Sequence, residues 1–393
     1  LVARSLISEV FGETTHSETL RAVLISVVGV GFAIGFIDPL ISELLDQKGF
    51  DEEYIGFSSG MQRAGFILVS LIIPLVIHKM GARPLFLTGI LLLSASFLAV
   101  PFVETQLWLL PLRVLLGSAT GILFIMGGAT VCQLSHRTHK GIMLGFYAAA
   151  TAGGVTLGPT LIEVLPTKGA FPFVFASLFM LFMAIPLIWA KRLTQNFEDD
   201  PVKFNGVVLL LALPTIAVAS LVAGMAEAVN ENLLAVYGEQ LGLSIPGAAL
   251  LVTVCLMGGI VLSGPIGWLG DKIGYLKGLC VCSLFIILTF ATILIERESL
   301  FISWPLLFFA GGAILGMFPL TLAVLGHHFS GANLAGATAG YFFMNGVGGM
   351  LGPIVCGFMM TRLGDSGFPW FMLVTLVVFV LTAYFFAEKK LKL

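Results

Sequence analysis

A Gly-Pro pair stands inside a long apolar run twice in this chain, at Gly158-Pro159 and again 194 residues later at Gly352-Pro353. Proline removes a backbone donor and crowds the preceding turn, whereas glycine lets neighbouring backbones come close. In lipid such a pair is tolerated only where other protein or a cavity re-satisfies the backbone. Each pair closes a glycine-spaced stretch, Gly154-Val-Thr-Leu-Gly158 in one case and Gly348-Gly-Met-Leu-Gly352 in the other. Tyr147 precedes Tyr341 by the same 194 residues. The duplication predicts a helical bundle with internal two-fold character.

Composition decides the solvent. Of 393 residues 58% are hydrophobic and only 11% charged, with a mean hydropathy of +1.03, whereas a soluble chain is about 25% charged. Crossing a ~30 Å hydrocarbon layer takes ~20 apolar residues, which leaves room for about twelve spans and short loops. Apolar runs predict helices at about 22–45, 54–77, 84–102, 107–131, 141–164, 170–190, 206–236, 246–269, 278–295, 301–326, 334–360 and 368–387. The expected fold is an all-α membrane protein with twelve transmembrane helices in two pseudo-symmetric six-helix bundles. These occupy 22–190 and 206–387, joined by a polar linker at 191–205 and flanked by tails at 1–21 and 388–393. The near balance of 20 basic and 22 acidic residues argues against a nucleic-acid surface. Cys132, Cys255, Cys280, Cys282 and Cys356 fall in or beside apolar runs and read as small buried side chains, so neither a disulfide framework, a metal site nor a cofactor is expected.

Lys and Arg sort by side. With a cytoplasmic N-terminus, fourteen fall inside (Arg4, Arg21, Lys79, Arg83, Arg137, Lys140, Lys191, Arg192, Lys203, Lys272, Lys277, Lys389, Lys390, Lys392) and four outside (Lys48, Lys168, Arg297, Arg362). That asymmetry predicts an even number of spans and both termini in the cytoplasm. Other landmarks repeat at a near-constant offset. His78-Lys-Met-Gly81 aligns with Asp271-Lys-Ile-Gly274, Gly117 with Gly311, and Asp38 with Glu231. Such constancy across several loops is the mark of an internal duplication.

These segments resemble the major facilitator superfamily. Its loop motif between helices 2 and 3, repeated between 8 and 9, matches Gly267-Trp-Leu-Gly-Asp271-Lys-Ile-Gly274-Tyr-Leu-Lys277. Its helix 4 motif matches Arg113-Val-Leu-Leu-Gly117-Ser-Ala-Thr-Gly121, and its helix 5 motif, which the family associates with antiporters, matches Gly154 to Pro159. The chain is most similar to the YcaD-like branch of bacterial permeases. The first-half loop motif is eroded, with Ile73 in place of its first glycine and His78 in place of its acid. The resemblance implies a secondary transporter of a small organic solute, working by alternating access in a bacterial cytoplasmic membrane, as a monomer and with protons as a partner. It assigns a conformational role to Gly154, Gly158, Pro159, Gly267, Asp271, Gly274, Lys277, Gly352 and Pro353.

Charges within spans are the sharpest chemical clues, because each costs at least ~2.5–3.5 kcal/mol at a helix centre. Asp38, Arg63, Arg113, Glu227 and Glu231 all fall at a similar depth, in the outer half of the layer. Glu227 and Glu231 share a helix face at i, i+4, with Asn230 beside them. Two acids that close can hold a proton between them; alternatively Glu231 sits hydrated at the outer mouth and Glu227 alone is internal. Asp38 precedes Pro39, so its helix is disturbed there and the carboxylate presented inward. Its partner is Arg113 or Arg63, and the resemblance favours Arg113, whose arginine the family implicates in proton movement. The plainer reading is a static brace between helices 1, 2 and 4. Proton-coupling candidates are therefore Asp38, Arg113, Glu227 and Glu231.

Asp271 is placed to cap the cytoplasmic N-terminus of the fifth predicted helix near Lys140, where the helix dipole favours an anion; otherwise it is a solvated loop acid. Gln62, Arg63, Tyr147, Asn230, Tyr341 and Asn345 are candidates for lining a substrate cavity, although a buried amide or hydroxyl in a bundle also serves as helix glue. No His-Glu-x-x-His, pore loop or ring of like residues points to an enzyme or a channel. Two directions stay open. Proton antiport of an amphipathic or cationic compound suits the helix 5 motif and the acids, and proton symport of a carboxylate-bearing nutrient suits the two arginines.

Overall fold

The computed structural model describes residues 17–47, 52–103, 106–162, 169–190, 213–295 and 300–390, together with Gly49. Among them the fold is all-α. The helices are α1 (Ser17–Gln47), α2 (Glu52–Met80), α3 (Ala82–Ala99), α4 (Gln106–Leu134), α5 (Lys140–Ile162) and α6 (Phe171–Trp189), then α7 (Pro214–Gln240), α8 (Ile245–Ile273), α9 (Tyr275–Ile295), α10 (Leu300–His328), α11 (Gly331–Leu363) and α12 (Gly367–Lys390). Nine described stretches are long and apolar enough to cross a membrane, the last of which, Gly331–Phe386, takes in both α11 and α12. α6 counts as a shorter apolar helix, Phe171–Leu187, and α7, with Glu227, Glu231 and Glu239, is not among the nine. α1 begins at Ser17, inside the tail expected at 1–21. The linker at 191–205 and most of that tail lie outside the described residues.

The chain divides into two compact units. Unit 1 holds Leu1–Arg137, Ala150–Gly206 and Phe329–Gly340, and unit 2 holds Thr138–Ala149, Val207–His328 and Tyr341–Leu393. Each unit therefore takes the opening turns of one helix, α5 or α11, from the other half of the sequence.

Glycine decides which helices touch within a unit. In unit 1, a Cβ on Gly31 would strike the Thr151 carbonyl, and one on Gly154 that of Val28, so α1 and α5 cross backbone against backbone. Gly65 lies equally close to Val114, and Gly117 to Gln62, which brings α4 onto α2. In unit 2 the repeat-related glycines do the same: Gly224 meets Asn345 and Gly348 meets Leu221 between α7 and α11, while Gly258 meets Phe308 and Gly311 meets Cys255 between α8 and α10. Small residues supply helix contact where lipid gives no hydrophobic drive. Bulky apolar side chains fill what remains. In unit 1, Phe32 packs on Phe179 with ring centroids 4.3 Å apart; in unit 2, Tyr237 stacks on Phe368 at 4.9 Å. The one-residue turns after α2 and α8 are also a repeat-related pair, because Gly81 (φ 74°) and Gly274 (φ 95°) both take the left-handed conformation that glycine alone adopts freely.

Candidate functional site

In unit 1 the α2–α4 crossing builds a polar cluster. Gly117 lies against the Gln62 backbone, and Arg113 is one turn earlier on the same face of α4, so its guanidinium arrives beside the Gln62 side chain. Arg113 Nη1 donates to Gln62 Oε1 at 2.8 Å and to Asp38 Oδ1 at 3.1 Å. Gln62 Nε2 closes the triangle by donating to Asp38 Oδ2 at 3.2 Å. Three side chains from α1, α2 and α4 are thus mutually bonded, with Arg113 as the base in the triangle. Burial is lopsided: the Arg113 side chain is 0% exposed and that of Asp38 39%. The acid keeps some accessible surface and the base none. Nε and Nη2 of Arg113 are buried and meet no acceptor among the described residues. Arg63, one residue beyond Gln62, is exposed and its charge bears on Asp38. Tyr54 on α2 stands within range of Arg113.

Unit 2 assembles a second group at the α7–α11 crossing. Gly224 lies against the Asn345 backbone, one turn before Glu227, so Asn345 Nδ2 donates to Glu227 Oε2 at 3.2 Å. Tyr341, one turn before Asn345, is fully buried, and its hydroxyl has no partner among the described residues. Phe318 packs edge-on to Tyr341 at 5.6 Å and stacks on Tyr147 at 5.8 Å. Asn230 is spent inside the protein, donating to the Ala226 carbonyl at 2.8 Å while its Oδ1 accepts from Cys255 Sγ at 3.6 Å. Glu231 is exposed. The five charges expected at one depth therefore fall into two groups, one in each unit.

Asp271 ends α8 against the start of α5. Its Oδ1 accepts from the Gly141 N–H at 2.7 Å and from Tyr275 Oη at 2.7 Å, and its Oδ2 accepts from the Ile142 N–H at 2.9 Å. Gly141 and Gly267 make this possible, since a Cβ on either would strike the other's carbonyl oxygen. An anion on free N–H groups at a helix start is stabilised by the dipole as well as by the bonds. The sequence places Lys140 beside this carboxylate, and here the structure differs. Lys140 is buried, and its Nζ donates to the Gly326 carbonyl at 2.6 Å, at the C-terminal end of α10 where the dipole favours a cation. Gly274 and Lys277 are exposed. In unit 1, where the eroded motif has His78, the first N–H of α11, from Gly331, donates to Gln133 Oε1 at 3.1 Å. This amide comes from the end of α4, not from the end of α2 where the repeat counterpart of Asp271 stands.

Tyr275, Gln133 and the true partner of Lys140 were not singled out by sequence reasoning. Tyr275 had a readable signal, since it stands at i+4 from Asp271 across the turn. Gln133 and Gly326 had none.

A profile described as Major Facilitator Superfamily matches residues 23–208 and 216–392. Among curated relatives, the MFS-type transporter YfkF of Bacillus subtilis (strain 168) is 24% identical over 371 residues, covering 90% of this chain and 92% of its own. The MFS-type transporter YcaD of Escherichia coli (strain K12) is 20% identical over 359 residues, with the same 90% and 92% coverage. Among solved structures, the human organic anion transporter MFSD10 (TETRAN) superposes with a TM-score of 0.75 at 16% identity, covering 94% of this chain and 99% of that one. At that identity the likeness speaks for the fold.

Proposed function

Because the chain belongs to the major facilitator superfamily, and is a multi-pass membrane transporter rather than an enzyme, we propose that it moves a small organic solute by alternating access with a proton carried at Asp38. The observation that carries this reading is the triangle of Asp38, Arg113 and Gln62. A half-exposed carboxylate bonded to a fully buried guanidinium ties α1 to α2 and α4 while it is ionised. A proton arriving from the exposed side removes one of the two charges and loosens that tie. A buried charge is tolerated only with its partner in place, so the protonation state of Asp38 biases how these helices sit, and alternating access needs such a bias. Glu227, held by Asn345, is a second acid available to the cycle. The distribution of Lys and Arg supports both termini on the cytoplasmic side, the bacterial relatives support a cytoplasmic membrane location, and the chain works as a monomer.

The proton's companion sets the direction. An amphipathic cation exchanged for protons at Asp38 or Glu227 would give antiport; an anion accepted together with the proton would give symport. The Gly-Pro stretches do not decide between them, since each packs its helix closely on a neighbour, at Gly154 against α1 and at Gly348 against α7. The test is flux in proteoliposomes under an imposed pH step. The expected result is that solute movement follows the gradient in the wild type and loses its pH dependence in Asp38→Asn. Equal pH-driven movement in both would remove Asp38 from the mechanism.

A further inference from the structure

Arg113 is completely buried, yet most of its donors face no acceptor. Its Nη1 serves Asp38 and Gln62, while the Nε hydrogen and both Nη2 hydrogens find none among the described residues. Buried donors in folded proteins are almost always satisfied, and an ionised one left open is the costliest exception. The open atoms are not scattered. Nε–H and the nearer Nη2–H run parallel along one edge of the planar guanidinium, at the spacing of the two oxygens of a carboxylate. The opposite corner is held rigidly by Asp38 and Gln62, so the edge is fixed in advance. We propose that this edge receives the carboxylate of the transported solute, and that the solute travels in the same direction as one proton on Asp38.

The inference rests on the assignment of the proton to Asp38 and adds the class of the companion. Charge balance links the two. Without solute, Asp38 and Arg113 neutralise each other. In the bonded pair counted alone, since Arg63 is exposed, a carboxylate added to Arg113 would leave one unmatched negative charge beside it, and a proton added to Asp38 alone would leave the buried guanidinium unmatched. Added together, they restore neutrality. The loaded state is therefore protonated Asp38, Arg113 and one bound carboxylate. Among the described residues the charged or titratable groups around Asp38 are Arg113 from α4 and Arg63 from α2, with Tyr54 of α2 near Arg113. The stretch of α5 packed on α1, Ala150–Ile162, and the whole of α6 contribute none. Of these groups it is Asp38, the carboxylate bonded to Arg113, that takes the proton.

Isothermal titration of the purified full chain with acetate, L-lactate and benzoate, in two buffers of different ionisation enthalpy, reads binding and proton uptake together. The expected result is binding of at least one carboxylate, with uptake of about one proton near neutral pH. Asp38→Asn binds the same carboxylate with no proton uptake. Arg113→Lys, which keeps the charge and loses the fork, binds it about tenfold more weakly or worse. If Arg113→Lys does not fold, the proton count of the wild type and of Asp38→Asn still decides. Binding without proton uptake overturns the pairing, as does no binding by any of the three. Proton-driven flux that needs Asp38 but follows tetraethylammonium instead overturns the carboxylate and leaves the proton assignment standing.

Discussion

Gly35 and Gly158 meet main chain to main chain, and each lies against a carbonyl that proline has released. Pro39 has no N–H to offer the Gly35 carbonyl four residues back, and that group lies at Gly158; Pro159 likewise leaves the Val155 carbonyl, which lies at Gly35. Gly158→Ala would put a Cβ into the Gly35 backbone. The expected loss is about 1–3 kcal/mol, read as a lower melting temperature in detergent. Gly153→Ala is the control, because its Cβ would meet nothing within 4 Å, and it should be neutral or gain up to about 1 kcal/mol of helix propensity. Equal melting of the two variants would mean that α1 and α5 do not cross as described.

Asp38 can be altered in two ways that separate fold from mechanism. Asparagine keeps an oxygen for Arg113 Nη1 but loses the charge and one of the two acceptors, so Asp38→Asn should still fold, at a cost of about 1–2 kcal/mol. Leucine leaves the guanidinium buried without an acidic partner and should cost about 3–5 kcal/mol. Thermal melts of both, with Arg113→Gln added to the leucine variant, form the check. Removing the second charge should restore part of the loss.

The contact at Asp271 predicts where the backbone loosens. In Asp271→Ala the N–H groups of Gly141 and Ile142 lose their acceptors, and hydrogen exchange should speed up in the opening turn of α5. The expected cost is about 1–2 kcal/mol. Tyr275→Phe removes only the hydroxyl that donates to Asp271 and should show the same pattern at smaller amplitude. Faster exchange spread evenly over α5 would argue against a local cap.

Tyr341 gives a prediction of near neutrality. Its buried hydroxyl lies by the Asn345 amide but in no well-formed hydrogen bond, so Tyr341→Phe should change melting little, by no more than about 1 kcal/mol either way. A clear drop in melting temperature would show that the hydroxyl has a structural partner after all.

Sequence reasoning reached the architecture because duplication writes it twice. The offset linking Gly154 to Gly348 and Gly117 to Gly311 survives in the helix crossings themselves. It also reached two contacts, Asp38 with Arg113 and Asp271 with the start of α5, where an ionised side chain in an apolar setting has few places to go. Rotation about the helix axis was harder to read. In a membrane bundle lipid and protein interior are both apolar, so the face that points inward carries little signature. Nothing in the letters shows that Arg63 is exposed while Gln62 bridges Asp38 and Arg113, or that Asn230 spends its amide on Ala226. Lys140 misled for a related reason. Its charge suggested the nearest acid, whereas the end of α10 offered Gly326, a carbonyl with no charge to advertise it.

The carboxylate of Asp271 grips three donors with two oxygens, and that arithmetic limits how α5 can move. Two of the donors belong to α5 and the third to the α8–α9 turn, so sliding the opening turn strains the bonds from Gly141 and Ile142 together while Tyr275 keeps its hold on the carboxylate. Losing the carboxylate would therefore free two adjacent N–H groups at the start of α5 in one step.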